Sequence, residues 1–170
     1  QVGIDILDKG GNAVDAAVAV GFSLATTLPR AGNIGGGGFM VMFDEASQES
    51  FSIDYREMAP EAATKDMFLS SDGLVDKKRA TQGVLSIGVP GTVYGMWEVH
   101  KKFGSLPWSA LLAPAIELAE DGFLISPFMA DALNKRYKKL AKYKNFKGIF
   151  YSNYPVQMHQ RLKQPDLAIT

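Results

Sequence analysis

Few of the 170 residues are of a type and spacing that could do chemistry, and Arg56 comes first among them. It closes the alternating stretch Phe51-Ser52-Ile53-Asp54-Tyr55-Arg56 and is followed by Glu57-Met58-Ala59-Pro60. A guanidinium is planar and permanently charged, and it can hold a carboxylate through two parallel N–H···O bonds; an ammonium has no such fork. Asp54 or Glu57 would orient it. On residue chemistry alone the alternative is a solvated arginine or one paired with Asp54 at the strand end, an interaction of little energetic weight. The remaining candidates lead less far. His100 shares a helical face with Met96 and Trp97, the pattern of a packed or half-exposed residue, and His159 stands alone. Neither has the spacing of a metal site. No Ser or Thr lies in a nucleophile context such as Gly-x-Ser-x-Gly. The residues therefore point to no catalytic nucleophile, no metal and no cofactor.

Upstream of Arg56 lies the tract Ala31-Gly32-Asn33-Ile34-Gly35-Gly36-Gly37-Gly38, which runs directly into Phe39-Met40-Val41-Met42-Phe43. A phosphate-binding loop would continue with Gly-Lys-Ser/Thr, and a dinucleotide fingerprint would have a strand before it and a helix after. This tract has the reverse order and leads into Phe39. It reads as a structural corner where the backbone takes unusual conformations or another segment comes close.

The elements that must position Arg56 follow from pattern. Val2 to Lys9 reads as the end of a helix terminated by Gly10-Gly11. Asn12 caps a helix over Ala13 to Ala25, with Asp15 in its first turn and apolar residues on nearly every side, the mark of a buried helix. Pro29 stops it. Phe39 to Phe43, continuously apolar, is expected to be a strand covered on both faces, paired in a β-hairpin with Phe51 to Arg56. On the second strand Ser52, Asp54 and Arg56 share the polar face, which sets Arg56 about 7 Å from Asp54. Pro60 to Gln82 is expected to be loop and short helix, and Gly83 to Gly88 a short strand. Pro90 begins a helix carrying Val93, Met96, Trp97 and His100. Pro107 opens another with Leu111, Leu112, Ala115, Ile116 and Ala119 inward, which Pro114 should kink or split. Ser126-Pro127 caps a helix to about Leu140 with Leu133, Tyr137 and Leu140 inward. Gly148 to Tyr151 reads as a strand, and Gln164 to Ala168 as a helix start.

An apolar fraction of 46% argues for a folded chain rather than a disordered one. The absence of cysteine excludes disulfides and thiolate metal sites. No apolar run approaches the ~18 residues of a membrane span. Position 1 is Gln, so the true N-terminus is expected to lie upstream. The net charge of zero divides unevenly: residues 1–130 hold 9 basic and 16 acidic residues, and residues 131–170 hold 9 basic and 2 acidic. The basic run from Lys135 to Lys147 is interleaved with Tyr137, Tyr143 and Phe146. It reads as a solvated helix face rather than a nucleic-acid surface.

Five stretches in order resemble the γ-glutamyltranspeptidase family. They are Gly10-Gly11-Asn12-Ala13-Val14-Asp15-Ala16-Ala17-Val18-Ala19, Gly35 to Met40, Asp54-Tyr55-Arg56-Glu57-Met58-Ala59-Pro60, Gly88-Val89-Pro90-Gly91-Thr92-Val93 and Leu118-Ala119-Glu120-Asp121-Gly122-Phe123. The resemblance runs from about Gly3 to Ala168. It implies an α+β fold, part of the N-terminal-nucleophile hydrolase αββα sandwich, helix-rich with a β-hairpin. Residues 1–170 would form a single partial domain from the start of the large subunit. The family's precursor cuts itself, and the new N-terminal threonine of the small subunit attacks a γ-glutamyl amide such as glutathione. The acyl group then passes to water or an amino acid. By this resemblance Arg56 binds the substrate α-carboxylate, Glu57 supports it, and the nucleophile lies outside these residues, so the chain alone would be inactive. The implied partners are the small-molecule γ-glutamyl substrate and the small catalytic subunit, with no nucleic acid and no membrane span, in a periplasmic or extracellular setting. Two alternatives stand beside this reading: a related acylase or amidohydrolase of different acyl specificity, and a non-catalytic scaffold whose basic end meets an acidic partner.

Overall fold

The computed structural model describes all 170 residues, Gln1–Thr170. In chain order the helices are α1 (Val2–Asp8), α2 (Ala13–Thr27), α3 (Lys77–Thr81), α4 (Thr92–Phe103), α5 (Trp108–Glu120), α6 (Pro127–Leu140), α7 (Lys144–Phe150) and α8 (Pro165–Ile169). The strands are β1 (Phe39–Asp44), β2 (Glu49–Asp54), β3 (Phe123–Leu124) and β4 (Arg161–Leu162). The class is α+β, and the chain divides into two compact units, residues 1–32 with 104–170 and residues 33–103.

The larger unit is built on α2. The expected stop after α1 is a Schellman turn: Gly10 takes φ +86°, its N–H donates to Leu7 O at 2.9 Å, and the Gly11 N–H donates to Ile6 O at 3.0 Å. Asn12 then caps α2 in a full capping box, accepting from Val14 and Asp15 N–H while Asp15 accepts from the Asn12 N–H. Asp15 does more than complement the helix dipole. It is fully buried, and its carboxylate also accepts from the Ser105 N–H at 3.1 Å and the Leu106 N–H at 3.3 Å. A buried carboxylate is tolerated only when its oxygens are filled in this way. Asp15 thus staples the entry to α5 onto the first turn of α2.

From there α2 packs on α5 through Val18, Ala19 and Phe22 facing Leu111, Ala115 and Ala119. Phe22 meets Trp108 edge-on at 5.4 Å between centroids. The helix is buried as a stripe, not all round: Leu24 is exposed on the opposite face. Ile116, expected inward, is exposed for the same reason, since only one face of α5 meets α2. Pro114 does not split α5. Burial of Leu111 and Ala115 on either side of it, with Ala115 O accepting from the Thr26 hydroxyl at 3.3 Å, holds the helix through the missing N–H.

A second core gathers Ile125, Ala130, Leu133, Tyr151, Val156 and Leu162 under α6 and α7. Ser126 caps α6 as expected, accepting from the Met129 N–H. Gly148 to Phe150 is helical, not extended, because the i,i+4 pair Phe146 and Phe150 packs ring against ring at 4.5 Å and Tyr151 N–H closes on Lys147 O. The Tyr151 hydroxyl donates to Leu133 O at 2.8 Å, and burial raises its pKa above the ordinary phenol value. The following irregular segment returns as β4 to pair antiparallel with β3, a two-residue ladder that no alternation in the sequence announces.

In the smaller unit β1 and β2 form the expected antiparallel hairpin, with Phe39 opposite Asp54 and Asp44 opposite Glu49. Asp44 accepts from the Ser47 hydroxyl at 2.7 Å and from its N–H at 3.2 Å, which fixes the turn and lowers the Asp44 pKa. The prediction that β1 is covered on both faces does not hold within this chain. Phe39, Val41 and Phe43 are 63%, 78% and 55% exposed, because no element of the chain lies over that side of the two-stranded sheet. On the other face Phe51 meets Phe103 of α4 at 4.9 Å, with the Lys102 ammonium 4.6 Å from the Phe51 ring centre. Gly83 to Gly88 is not a strand: Gly83 sits at φ +88° and Val84–Ser86 makes a 3₁₀ turn closed by the Ser86 hydroxyl on Gly83 O. The helix after Pro90 begins at Thr92 and turns Thr92, Gly95, Met96 and Val99 inward, leaving Val93 and Trp97 partly exposed. No helix is long and apolar enough to cross a membrane.

Replacing Asp15 with Ala should lower unfolding free energy by about 3 kcal/mol or more, since several buried N–H groups lose their acceptor together. Asn, which keeps one acceptor oxygen, should cost roughly half as much. Chemical denaturation checks this, and an Ala variant as stable as the parent would show that the carboxylate is not a staple.

Candidate functional site

Arg56 lies two residues beyond Asp54, the last residue of β2, at the point where the chain leaves the hairpin. Tyr55 N–H still donates to Gly38 O at 3.0 Å, extending the ladder by one bond. The Asp54 carboxylate then accepts from the Arg56 backbone N–H at 2.9 Å. Asp54 therefore shapes the main chain in an Asx turn and does not hold the guanidinium. The chain's ion pairs are Lys101–Glu98 and Lys135–Asp131. The Arg56 side chain is exposed and no carboxylate of the chain grips it. Glu57 is exposed too, and lines a 260 Å³ hollow with Met58, Pro60, Phe68 and Leu85 among others.

The backbone carrying these two side chains is tightly enclosed. A Cβ placed on Gly37 would lie 2.6 Å from Tyr55 O, 2.7 Å from Arg56 Cα and 2.7 Å from Glu57 N, closer than real Cβ atoms come. Gly91 also abuts the Tyr55 and Arg56 carbonyls, and Gly95, in the first turns of α4, abuts the Tyr55 side chain. Further along, Met58 and Val89 exchange two backbone hydrogen bonds, at 2.8 and 3.2 Å. The tract itself is tied to the start of α4. Gly36 O accepts from the N–H groups of Gly91 at 2.8 Å and Thr92 at 3.1 Å. Asn33 Oδ1 accepts from the Gly36 N–H at 2.7 Å and from the Thr92 hydroxyl at 2.8 Å.

The tract is thus a corner, as its composition suggests, but through close approach rather than unusual dihedrals: none of Gly35 to Gly38 takes a positive φ. What the residues do together is pack glycine backbone closely against a short segment whose guanidinium is exposed and in no ion pair. Asn33, Gly91, Thr92 and Gly95 were not read from the sequence as parts of this site. The only available signal was the run Gly-Val-Pro-Gly-Thr, in which glycine at the mouth of a helix permits close packing. The two histidines play no part in the arrangement: His100 stacks on Trp97 at 5.9 Å, and His159 belongs to the irregular segment of the other unit.

The model of the gamma-glutamyltranspeptidase family matches residues 1–170, the whole chain. The chain belongs to the γ-glutamyltranspeptidase family. It is 46% identical over 171 residues to the glutathione hydrolase proenzyme of Escherichia coli, covering 99% of this chain and 29% of that protein. It superposes on the crystal structure of Helicobacter pylori γ-glutamyltranspeptidase with a TM-score of 0.93 at 45% identity, over 99% of this chain and 48% of that one. Cephalosporin acylase from Bacillus halodurans matches with a TM-score of 0.85 at 26% identity, over 99% of this chain and 33% of that one. The chain therefore spans about three-tenths of the E. coli relative's length and about half of the H. pylori chain's. Its α+β fold is that of the γ-glutamyltranspeptidases, which are N-terminal-nucleophile hydrolases, so the fold expected from the five motifs holds.

Two glycines two residues apart in the tract should behave differently. Gly35 has open space where a Cβ would go, whereas Gly37 has the Arg56 backbone. Gly35→Ala should leave stability within about 0.5 kcal/mol, and Gly37→Ala should cost roughly 1–3 kcal/mol or displace the arginine segment. Thermal melts of the two variants check this, and equal behaviour would argue against a clamp at Gly37.

Proposed function

We propose that this chain serves as the early part of the large subunit of a γ-glutamyltranspeptidase that cleaves γ-glutamyl amides such as glutathione. Arg56 is the clamp for the substrate α-carboxylate. The observation that carries this reading is the pairing of a rigidly held backbone with a guanidinium that no residue of the chain neutralises. An arginine that binds a carboxylate needs its fork free and its backbone fixed, and the absence of a pairing with Asp54 leaves the fork available. Glu57 supports the same site from the next position in the chain.

In this scheme the large subunit binds and the small subunit reacts. Arg56 fixes one end of the γ-glutamyl group, and the small subunit's threonine hydroxyl adds to the γ-carbonyl. The C–N bond breaks as the leaving amine takes a proton, and an ester remains for water or an amino acid to attack. The chain supplies no nucleophile and is inactive alone. The single partial domain of residues 1–170 has the small subunit of the same precursor as its partner, and the complete protein works in the periplasm or outside the cell.

A second reading rests on the likeness to cephalosporin acylase: the same architecture with a different acyl group. The two differ in whether the acyl chain bears an α-amino group. A γ-glutamyl anilide should turn over well and a glutaryl anilide poorly if the first reading is right, and the reverse order would favour the acylase.

Arg56→Gln in the complete protein should leave self-cleavage intact and raise KM for a γ-glutamyl anilide about 10- to 100-fold, the loss of a charge-assisted pair of bonds. Arg56→Lys should recover part of it, because charge returns without the fork. Self-cleavage on a gel and anilide release measure both, and an Arg56→Gln enzyme with unchanged KM would contradict the clamp.

A further inference from the structure

Gly37 and Gly91 both pack against the backbone that carries Arg56, so its position depends on how those two glycines are held together. Gly37 follows Gly36, whose carbonyl accepts from both Gly91 and Thr92 N–H groups. Asn33 Oδ1 closes the loop by accepting from the Gly36 N–H at 2.7 Å and the Thr92 hydroxyl at 2.8 Å. Thr92 is 3% exposed, whereas Asn33 lies at the surface. The hydroxyl is therefore the buried end of the tie and the amide its outer end.

We infer that Thr92, through Asn33, is a positioning residue for Arg56: its hydroxyl helps hold the glycine tract on the start of α4, where both pack against the Arg56 backbone, and so sets the aim of the guanidinium at a substrate carboxylate. This inference rests on the reading of Arg56 as the carboxylate clamp. A bidentate guanidinium–carboxylate pair depends on angle as well as distance, and small displacements of a binding group are enough to weaken it. Removing the Thr92 hydroxyl leaves the Gly36 carbonyl bonded and Asn33 Oδ1 on the Gly36 N–H, but it removes the side-chain bond that ties Asn33 to the first turn of α4. The side chain touches neither substrate nor nucleophile, so its effect should appear in KM for substrates with an α-carboxylate and leave kcat nearly unchanged.

The test is a double-mutant cycle in the complete protein between Thr92→Val, which keeps the shape and loses the hydroxyl, and Arg56→Gln. Thr92→Val alone should raise KM for a γ-glutamyl anilide about 3- to 10-fold, the range of one lost hydrogen bond. In the Arg56→Gln background it should change KM by less than about 2-fold, because residues that act on one interaction are not additive. Thr92→Ser, which retains the hydroxyl, should restore a KM near that of the parent. An equal KM effect of Thr92→Val in both backgrounds, or no effect in the parent when Arg56→Gln raises KM, would overturn the role of Thr92 alone. An Arg56→Gln enzyme with the parent's KM would overturn the clamp and this inference together. Should Thr92→Val not accumulate as folded protein, Asn33→Ala takes its place in the cycle, since it removes the same acceptor from the surface and carries the same expected outcomes.

Discussion

Everything proposed for Arg56 depends on one steric fact: the main chain from Tyr55 to Glu57 is approached so closely by Gly37 and Gly91 that neither can carry a side chain. The contact is between backbones. It consumes none of the polar groups of the arginine or the glutamate, and it leaves both side chains to solvent. A guanidinium on a mobile loop would lose conformational entropy on gripping a ligand, whereas one on a segment fixed in advance loses mainly side-chain freedom. Asp54 contributes in the same way, spending its carboxylate on the Arg56 N–H and not on the guanidinium.

The larger unit solves a different problem by a related means. There, buried polar groups substitute for long apolar contacts between helices rich in alanine. Asp15 takes backbone N–H groups from both ends of a 90-residue separation. Gln164 donates to Thr26 O at 2.9 Å, and its own N–H donates to Ala119 O at 2.8 Å. Such ties work only when each partner is satisfied. Here each makes a definite connection between α2 and the later helices, which apolar packing on small side chains would specify less sharply.

Local signals in the chain carried much of this. The Schellman stop at Gly10, the Asn12 cap, the Ser126-Pro127 start of α6 and the hairpin up to Asp54 all rest on a few neighbouring residues whose chemistry has one favourable outcome. What escaped depended on distance. Asp15 looks like a residue serving the helix dipole until Ser105 arrives beside it. Gly91 and Gly95 look like an ordinary helix entry until the backbone and side chain of Tyr55 are seen against them. Gly148 to Tyr151 has strand composition, yet the packing of Phe146 on Phe150 decides for a helix, and β4 is a strand only because β3 is there to pair with. The outward face of β1 was read as covered from its composition, and nothing in the chain covers it. Arg56 itself was legible as chemistry, but its freedom from Asp54 was not, because only the backbone geometry shows where the Asp54 carboxylate is spent.

The role of Arg56 is tested most directly by a crystal structure of the complete protein with glutamate bound, set beside the ligand-free form. Two guanidinium nitrogens of Arg56 should lie at about 2.7–2.9 Å from the α-carboxylate oxygens. The backbone of Tyr55 to Glu57 should move by well under about 1 Å, as expected for a site formed before its ligand arrives. An α-carboxylate held by other groups, or an arginine segment that must leave the Gly37–Gly91 contact to reach it, would contradict the account.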